Sequence, residues 1–305
     1  MKIKNANSNL SLKSLPIVFV LTAIISIAMR AYQMIFLIDN ETGFFLDDTA
    51  LNYSLYVVLG VSCLFFIIMS YINSDTCDLK STRTQNKALS AITYAFATLL
   101  FIESALCYII AMGSYSQTAS FITGVVSESN LSYVRALLGV FSGIYFIIVG
   151  NDYRNNERKA NEKKVLALAP VAWVGFKLMS LFSTQISFLR VSDLVLELIM
   201  LAFFINFFLS YAQFNSNVYR VGYTWRVYGF GLSASLISLS INVPRLVLMF
   251  VNSSEYINAD YSFNIVNLIC AIFAIILIFS DVKISHEEED LILKMQQTGL
   301  SETQE

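Results

Sequence analysis

Long apolar segments alternate with short polar ones along almost the whole chain. An α-helix rises about 1.5 Å per residue, so roughly 20 apolar residues are needed to cross about 30 Å of bilayer hydrocarbon. Eight segments meet this requirement and predict an all-α fold, a polytopic bundle of eight transmembrane helices. The predicted spans are residues 15–38, 53–72, 88–113, 131–150, 165–185, 193–211, 227–250 and 261–280.

The distribution of Lys and Arg predicts the orientation of these spans. Basic residues cluster before the first span, in the second, fourth and sixth connections, and after the last span, whereas the other connections contain only Arg190. Basic connections stay in the cytoplasm. Both termini are therefore expected to be cytoplasmic, and the location is expected to be the cell membrane.

The pattern divides the chain into three parts. We expect a cytoplasmic segment at 1–14, a transmembrane domain at 15–280 and a cytoplasmic tail at 281–305. Within the tail, Ser285 and Glu288 have the spacing of a capping box, which predicts a short cytoplasmic helix. In the fourth span, Gly139 and Gly143 form a GxxxG motif, which favours close packing within the monomer over dimerisation.

Composition excludes several classes of function. With 56% hydrophobic and 14% charged residues and a mean hydropathy of +0.62, the chain is suited to lipid. A net charge of −2 without a basic stripe disfavours nucleic acid as a partner. Four scattered cysteines without a CxxC motif predict neither a metal site nor another cofactor site. The single histidine, His286, lies in the tail, so we expect no enzyme.

Six ionisable residues fall within the predicted spans, and they carry the strongest functional signal. A charge at the centre of a membrane helix costs about 2.5 to 3.5 kcal/mol on insertion scales, so each is expected to face the bundle interior or water. Given the predicted orientation, all six lie in the outer half or near the centre of the membrane. They are Arg30, Glu103, Arg135, Lys177, Glu197 and Arg245.

Polar residues extend these positions along three helix faces. At helical spacing they form stripes on the first, fifth and seventh spans. The stripe on the first span contains Thr22, Ser26, Arg30 and Gln33. The stripe on the fifth contains Trp173, Lys177, Ser180 and Thr184. The stripe on the seventh contains Gly231, Ser235, Ser238, Asn242 and Arg245.

Two interpretations of the buried charges remain open. One is an outward-facing polar cavity for an anionic or zwitterionic ligand. The other is a set of structural ion pairs among the six residues and the acids Asp39, Asp47, Asp48 or Asp193, with Ser and Thr bonding between helices. For Lys177 we expect Glu103 or Glu197 as the partner.

Two stretches carry a resemblance: LIDNETGFF at 37–45 and PVAWVGFKLMSLFSTQISFLRVSD at 170–193. They resemble segments of uncharacterised multi-pass membrane proteins of anaerobic Gram-positive bacteria. The resemblance implies a bacterial cytoplasmic membrane and no assigned activity.

Two functions follow from these patterns as hypotheses. The first is a protein that binds or transports a small polar or anionic solute through the outward-facing cavity. The alternative is a non-enzymatic sensory or scaffolding subunit that acts through a membrane protein partner. The lipid bilayer is the partner common to both.

Overall fold

The computed structural model describes residues 6–38, 45, 50–74, 79, 85–112, 130–156, 159–183, 191–218, 224–251 and 264–302. Within these residues the chain forms eight α-helices. They are α1 (Ala6–Tyr32), α2 (Ala50–Ile72), α3 (Lys87–Ala111), α4 (Asn130–Asn155), α5 (Ala169–Ser183), α6 (Val191–Asn215), α7 (Trp225–Val251) and α8 (Ile265–Glu302). A π-helical turn (Gln33–Leu37) extends α1, and 3-10 turns at Lys159–Glu162 and Leu166–Leu168 precede α5.

Seven of the described helices are long and apolar enough to cross a membrane. The segment at the predicted fifth span, 165–185, forms a shorter apolar helix, Leu166–Phe182. The all-α bundle is thus confirmed, and the chain is a multi-pass membrane protein. The acidic loop at 38–48 and the polar stretch at 114–130 lie almost entirely outside the described residues.

The two ends of the chain are more helical than the pattern predicts. Helix α1 begins at Ala6, within the segment expected to precede the first span, and continues past Pro16. Helix α8 continues without a break from Ile265 to Glu302, so the tail helix expected from Ser285 is its continuation. No proline interrupts α8, so nothing in its sequence forces a break at the membrane surface.

Helix α7 lies at the centre of the bundle. Of its apolar stretch 78% is buried inside the molecule, compared with 28% for α1. It packs against α1, α2, α6 and α8, while α3, α4, α5 and α6 follow one another in contact and α8 also packs against α3. The polar stripe of α7 therefore faces protein rather than lipid. For example, Ser235 Oγ donates to the Ala271 carbonyl of α8 at 3.1 Å.

A seam of glycines joins α4 to α3. A Cβ atom at Gly143 would lie 2.9 Å from Cζ of Phe101, and one at Gly150 would lie 3.0 Å from Cε1 of Tyr94. At Gly139 the corresponding contact is with the Ser104 hydroxyl. The GxxxG motif thus brings two helices of the same chain together, as the sequence favoured.

Candidate functional site

Glu103 holds two cations on one oxygen atom in the interior of the bundle. Its Oε1 atom forms an ion pair with the Arg135 guanidinium, and Nζ of Lys177 lies 3.5 Å from the same oxygen. The exposed fractions are 1% for Glu103, 3% for Arg135 and 2% for Lys177. Helices α3, α4 and α5 therefore meet at a single carboxylate that is shielded from bulk solvent.

Asn267 connects these three residues to the second carboxylate. Nζ of Lys177 donates to Oδ1 of Asn267 at 2.7 Å, and Nδ2 of Asn267 donates to Oε1 of Glu197 at 3.4 Å. The amide thus presents its acceptor to the cation and its donor to the carboxylate. We call the five residues Arg135, Glu103, Lys177, Asn267 and Glu197 the polar network; they come from five different helices.

The positions of these residues along their helices explain why they meet. Glu103 lies about two turns before the end of α3 and Lys177 within the last two turns of α5. Arg135, Glu197 and Asn267 lie within the first two turns of α4, α6 and α8. All five are therefore at the end of the bundle where α3 and α5 finish, which we call the network end.

The backbone around Asn267 holds its side chain in place. Oδ1 of Asn264 accepts hydrogen bonds from the backbone N–H groups of Val266 and Asn267, both at 3.1 Å, and so caps the start of α8. The Ser238 hydroxyl on α7 donates to the Asn267 carbonyl at 3.0 Å. The central helix thus supports the network from the side.

The network is electrically balanced but unevenly enclosed. Two cations, Arg135 and Lys177, face two carboxylates, Glu103 and Glu197. Glu197 is half-buried, whereas Glu103 is almost fully buried. The second oxygen of Glu103, Oε2, accepts no hydrogen bond from the described part of the chain. Because a buried carboxylate oxygen is costly to leave unbonded, this atom is a strong acceptor within the network.

Aromatic side chains occupy the bundle interior next to the network. Lys177 Nζ lies 5.2 Å from the ring centroid of Trp173, and the Trp173 ring lies 6.3 Å from Phe96. Phe96 in turn belongs to a packed group that we call the phenylalanine cluster. Its members are Phe96, Phe146, Phe208 and Phe273, with centroids 4.7 Å apart for Phe96 and Phe146 and 5.5 Å apart for Phe146 and Phe273.

A second buried polar group lies beyond the phenylalanine cluster. The hydroxyls of Tyr153 and Tyr211 bond to each other, and Nδ2 of Asn215 donates to the Tyr145 hydroxyl at 3.0 Å. Tyr211 lies 5.8 Å from Phe273 and Tyr145 lies 5.5 Å from Phe146, between ring centroids. Polar groups at two depths of the bundle are thus separated by a layer of phenylalanine rings.

Arg30 and Arg245, the other two predicted residues, lie on α1 and α7 and are also buried, at 1% and 7% exposed. Nη1 of Arg30 donates to Oε1 of Gln33 at 3.1 Å, and Gln33 donates to the Leu51 carbonyl of α2 at 3.1 Å. A mainly apolar cleft of about 230 Å³ adjoins Gln33 between α1 and α2.

Comparison with known proteins adds no relative. No protein-family model, no curated protein and no solved structure matches the chain significantly. The side chains themselves therefore carry the information on function.

The structure brings four of the six predicted residues together and adds one that the sequence did not indicate. Lys177 contacts Glu103, one of its two expected partners, and reaches the other, Glu197, through Asn267. The sequence signal for Asn267 is the pair Asn264 and Asn267, three residues apart at the start of an apolar span. Among the described residues, no group of three or more His, Cys, Asp or Glu side chains is placed to hold a metal ion.

Proposed function

We propose that this protein is a non-enzymatic membrane protein that binds and moves a small solute bearing a carboxylate, either an anion or a zwitterion. The observation that supports this is the sharing of one Glu103 oxygen by Arg135 and Lys177. Ionisable residues inside a membrane bundle commonly mark solute or ion pathways. The proposal places the protein in the cytoplasmic membrane with both termini in the cytoplasm.

The chemistry of the network fits a carboxylate. Arg135 presents a planar guanidinium that matches carboxylate geometry, and Lys177 supplies a more mobile point charge. Glu103 already occupies the position between them, so a solute carboxylate would compete with it for the same two cations. The released Glu103 would then be free to receive the ammonium group of a zwitterion.

The arrangement of the helices supports movement as well as binding. The network lies near one end of the bundle, and the phenylalanine cluster separates it from the hydroxyls of Tyr153 and Tyr211, which lie toward the opposite end, within the last two turns of α4 and α6. In the proposal the phenylalanine cluster is the closed barrier of the pathway. Rearrangement of the rings would let a solute pass from the network toward Tyr153 and Tyr211.

Replacement of Lys177 tests this proposal. We expect glycine or acetate, at about ten times its dissociation constant, to stabilise the wild-type protein by about 1.4 kcal/mol. Lys177→Met should lose this stabilisation and the uptake of labelled glycine into proteoliposomes, because one of the two cations is gone. The measurements are thermal unfolding in detergent and a vesicle uptake assay.

Lys164→Met is the matched control, since Lys164 is exposed in the turn before α5. It should keep both responses. Wild-type behaviour of Lys177→Met, with intact folding shown by size-exclusion chromatography, would contradict the proposal.

A further inference from the structure

The charge balance of the polar network limits what it can bind. Arg135 and Lys177 are matched by Glu103 and Glu197 in a region of low dielectric constant. A monoanion entering this region would leave one uncompensated negative charge. Burying an unpaired charge is so costly that ionisable groups change their protonation state instead. A zwitterion brings its own compensating charge and creates no such excess.

Of the two carboxylates, Glu197 is better placed to take up a proton. Glu103 is fully enclosed and lies between two cations, which favour its ionised form. Glu197 is half-buried, and its hydrogen bond in the network is a 3.4 Å contact from the neutral amide of Asn267. Among the contacts of the described residues, protonation of Glu197 therefore breaks no ion pair of the network.

The charged groups around Glu197 come from several helices. Lys177 on α5 and Arg135 on α4 attract it electrostatically. Helix α8 contributes the neutral Asn267, and the ionisable residue near the same end of α7 is Arg245. An anion bound to Lys177 and Arg135 would weaken this attraction. Anion binding and protonation of Glu197 are thus linked through the same two cations.

We propose that the network binds a monoanionic carboxylate together with one proton, which adds to the Glu197 carboxylate, whereas a zwitterion binds without a proton. The proton comes from water on the side from which the solute enters, and the total charge of the network is the same before and after binding. This inference rests on the proposed function and specifies its coupling ion.

The fluorescence of Trp173 can be used to measure binding of a solute to the polar network. The chain has 2 tryptophans, Trp173 and Trp225, and Trp173 lies 5.2 Å from the Lys177 ammonium. In a Trp225→Phe background, the emission of Trp173 therefore reports on binding at Lys177. The probes are acetate, a monoanion, and glycine, a zwitterion, both titrated into the full-length protein in detergent.

Measured between about pH 6 and 8, the dissociation constant of acetate should rise with pH, by up to about tenfold per pH unit, because one proton is bound with each anion. That of glycine should stay constant over the same range. Glu197→Gln should abolish the pH dependence for acetate, since its neutral amide replaces the protonated acid at every pH. Glu197→Asp keeps a titratable carboxyl and should retain the dependence.

The remaining outcomes separate this inference from the proposed function. Binding of acetate with no pH dependence, or an equal dependence for glycine, would overturn the proton linkage and leave the proposed function standing. A dependence that persists in Glu197→Gln would overturn the assignment to Glu197. If neither probe changes the emission of Trp173 or the unfolding temperature, both proposals fail together.

Discussion

At the scale of single residues, a neutral side chain organises the charged ones. Asn267 is the only member of the polar network without a formal charge, and it contacts both Lys177 and Glu197. An amide can accept from a cation and donate to a carboxylate at once, which no ionised side chain can do. The network therefore depends on the amide as much as on the charges.

Replacing Asn267 tests this dependence. Asn267→Leu would remove the acceptor of Lys177 and the donor of Glu197, so we expect a loss of about 1 to 3 kcal/mol in the free energy of unfolding. Asn206→Leu is the matched control, because Asn206 is exposed on α6 and, among the contacts of the described residues, its side chain bonds only to the Ala202 carbonyl of the same helix. Equal shifts in the unfolding temperature of the two variants would refute the proposed role of Asn267.

The sequence was sufficient to predict the charged residues of the polar network, but not all of their contacts. Charge in an apolar span is rare enough to stand out, and this was sufficient to identify Glu103, Arg135, Lys177 and Glu197. Glu103 or Glu197 was expected as the partner of Lys177, but which carboxylate meets which cation was not predictable, because this depends on which helices are neighbours. Asn267 was missed because a single amide is far less costly in a span than a charge.

At the scale of elements, the α3–α4 contact positions the ion pair. The glycine seam allows the two backbones to approach closely, and Glu103 and Arg135 lie at the end of the same contact. The spans themselves were predictable, since hydrophobic length is a local property. The central place of α7 was not, because eight apolar helices can be arranged around one another in many ways.

A large side chain in the seam should separate the two helices. In Gly143→Leu, the new side chain would meet the Phe101 ring, so we expect a loss of about 1 to 3 kcal/mol in stability. The control is Gly60→Leu, because a Cβ atom at Gly60 has open space around it on the exposed side of α2. Thermal unfolding of both variants measures the difference, and a stable Gly143→Leu would show that close approach is not required.

At the scale of the whole molecule, the orientation in the membrane is the property that the proposed function needs most. The charge distribution predicts cytoplasmic termini, and this would place the network end at the outer surface. A solute would then meet the polar network from outside the cell. The opposite orientation would present the same network to the cytoplasm.

Cys77 offers a direct measurement of orientation. It lies in the second connection, which we expect in the cytoplasm, while Cys63, Cys107 and Cys270 are buried within the bundle. A membrane-impermeant thiol reagent should leave Cys77 unlabelled in intact cells and modify it in inverted vesicles. In Ser254→Cys, the new thiol in the last connection should show the reverse pattern. Labelling of Cys77 in intact cells would show that the topology is the opposite of the predicted one.

The unbroken course of α8 has a mechanical consequence. At 38 residues the helix is about 57 Å long, nearly twice the thickness of the hydrocarbon it crosses. Asn267 lies near one end of α8, and a helix of this length extends well beyond the bilayer at its other end. A tilt of about 5° would displace the far end by roughly 5 Å relative to the first turn. If binding at Lys177 and Glu197 tilts α8, the far end of the helix would therefore move at the opposite membrane surface.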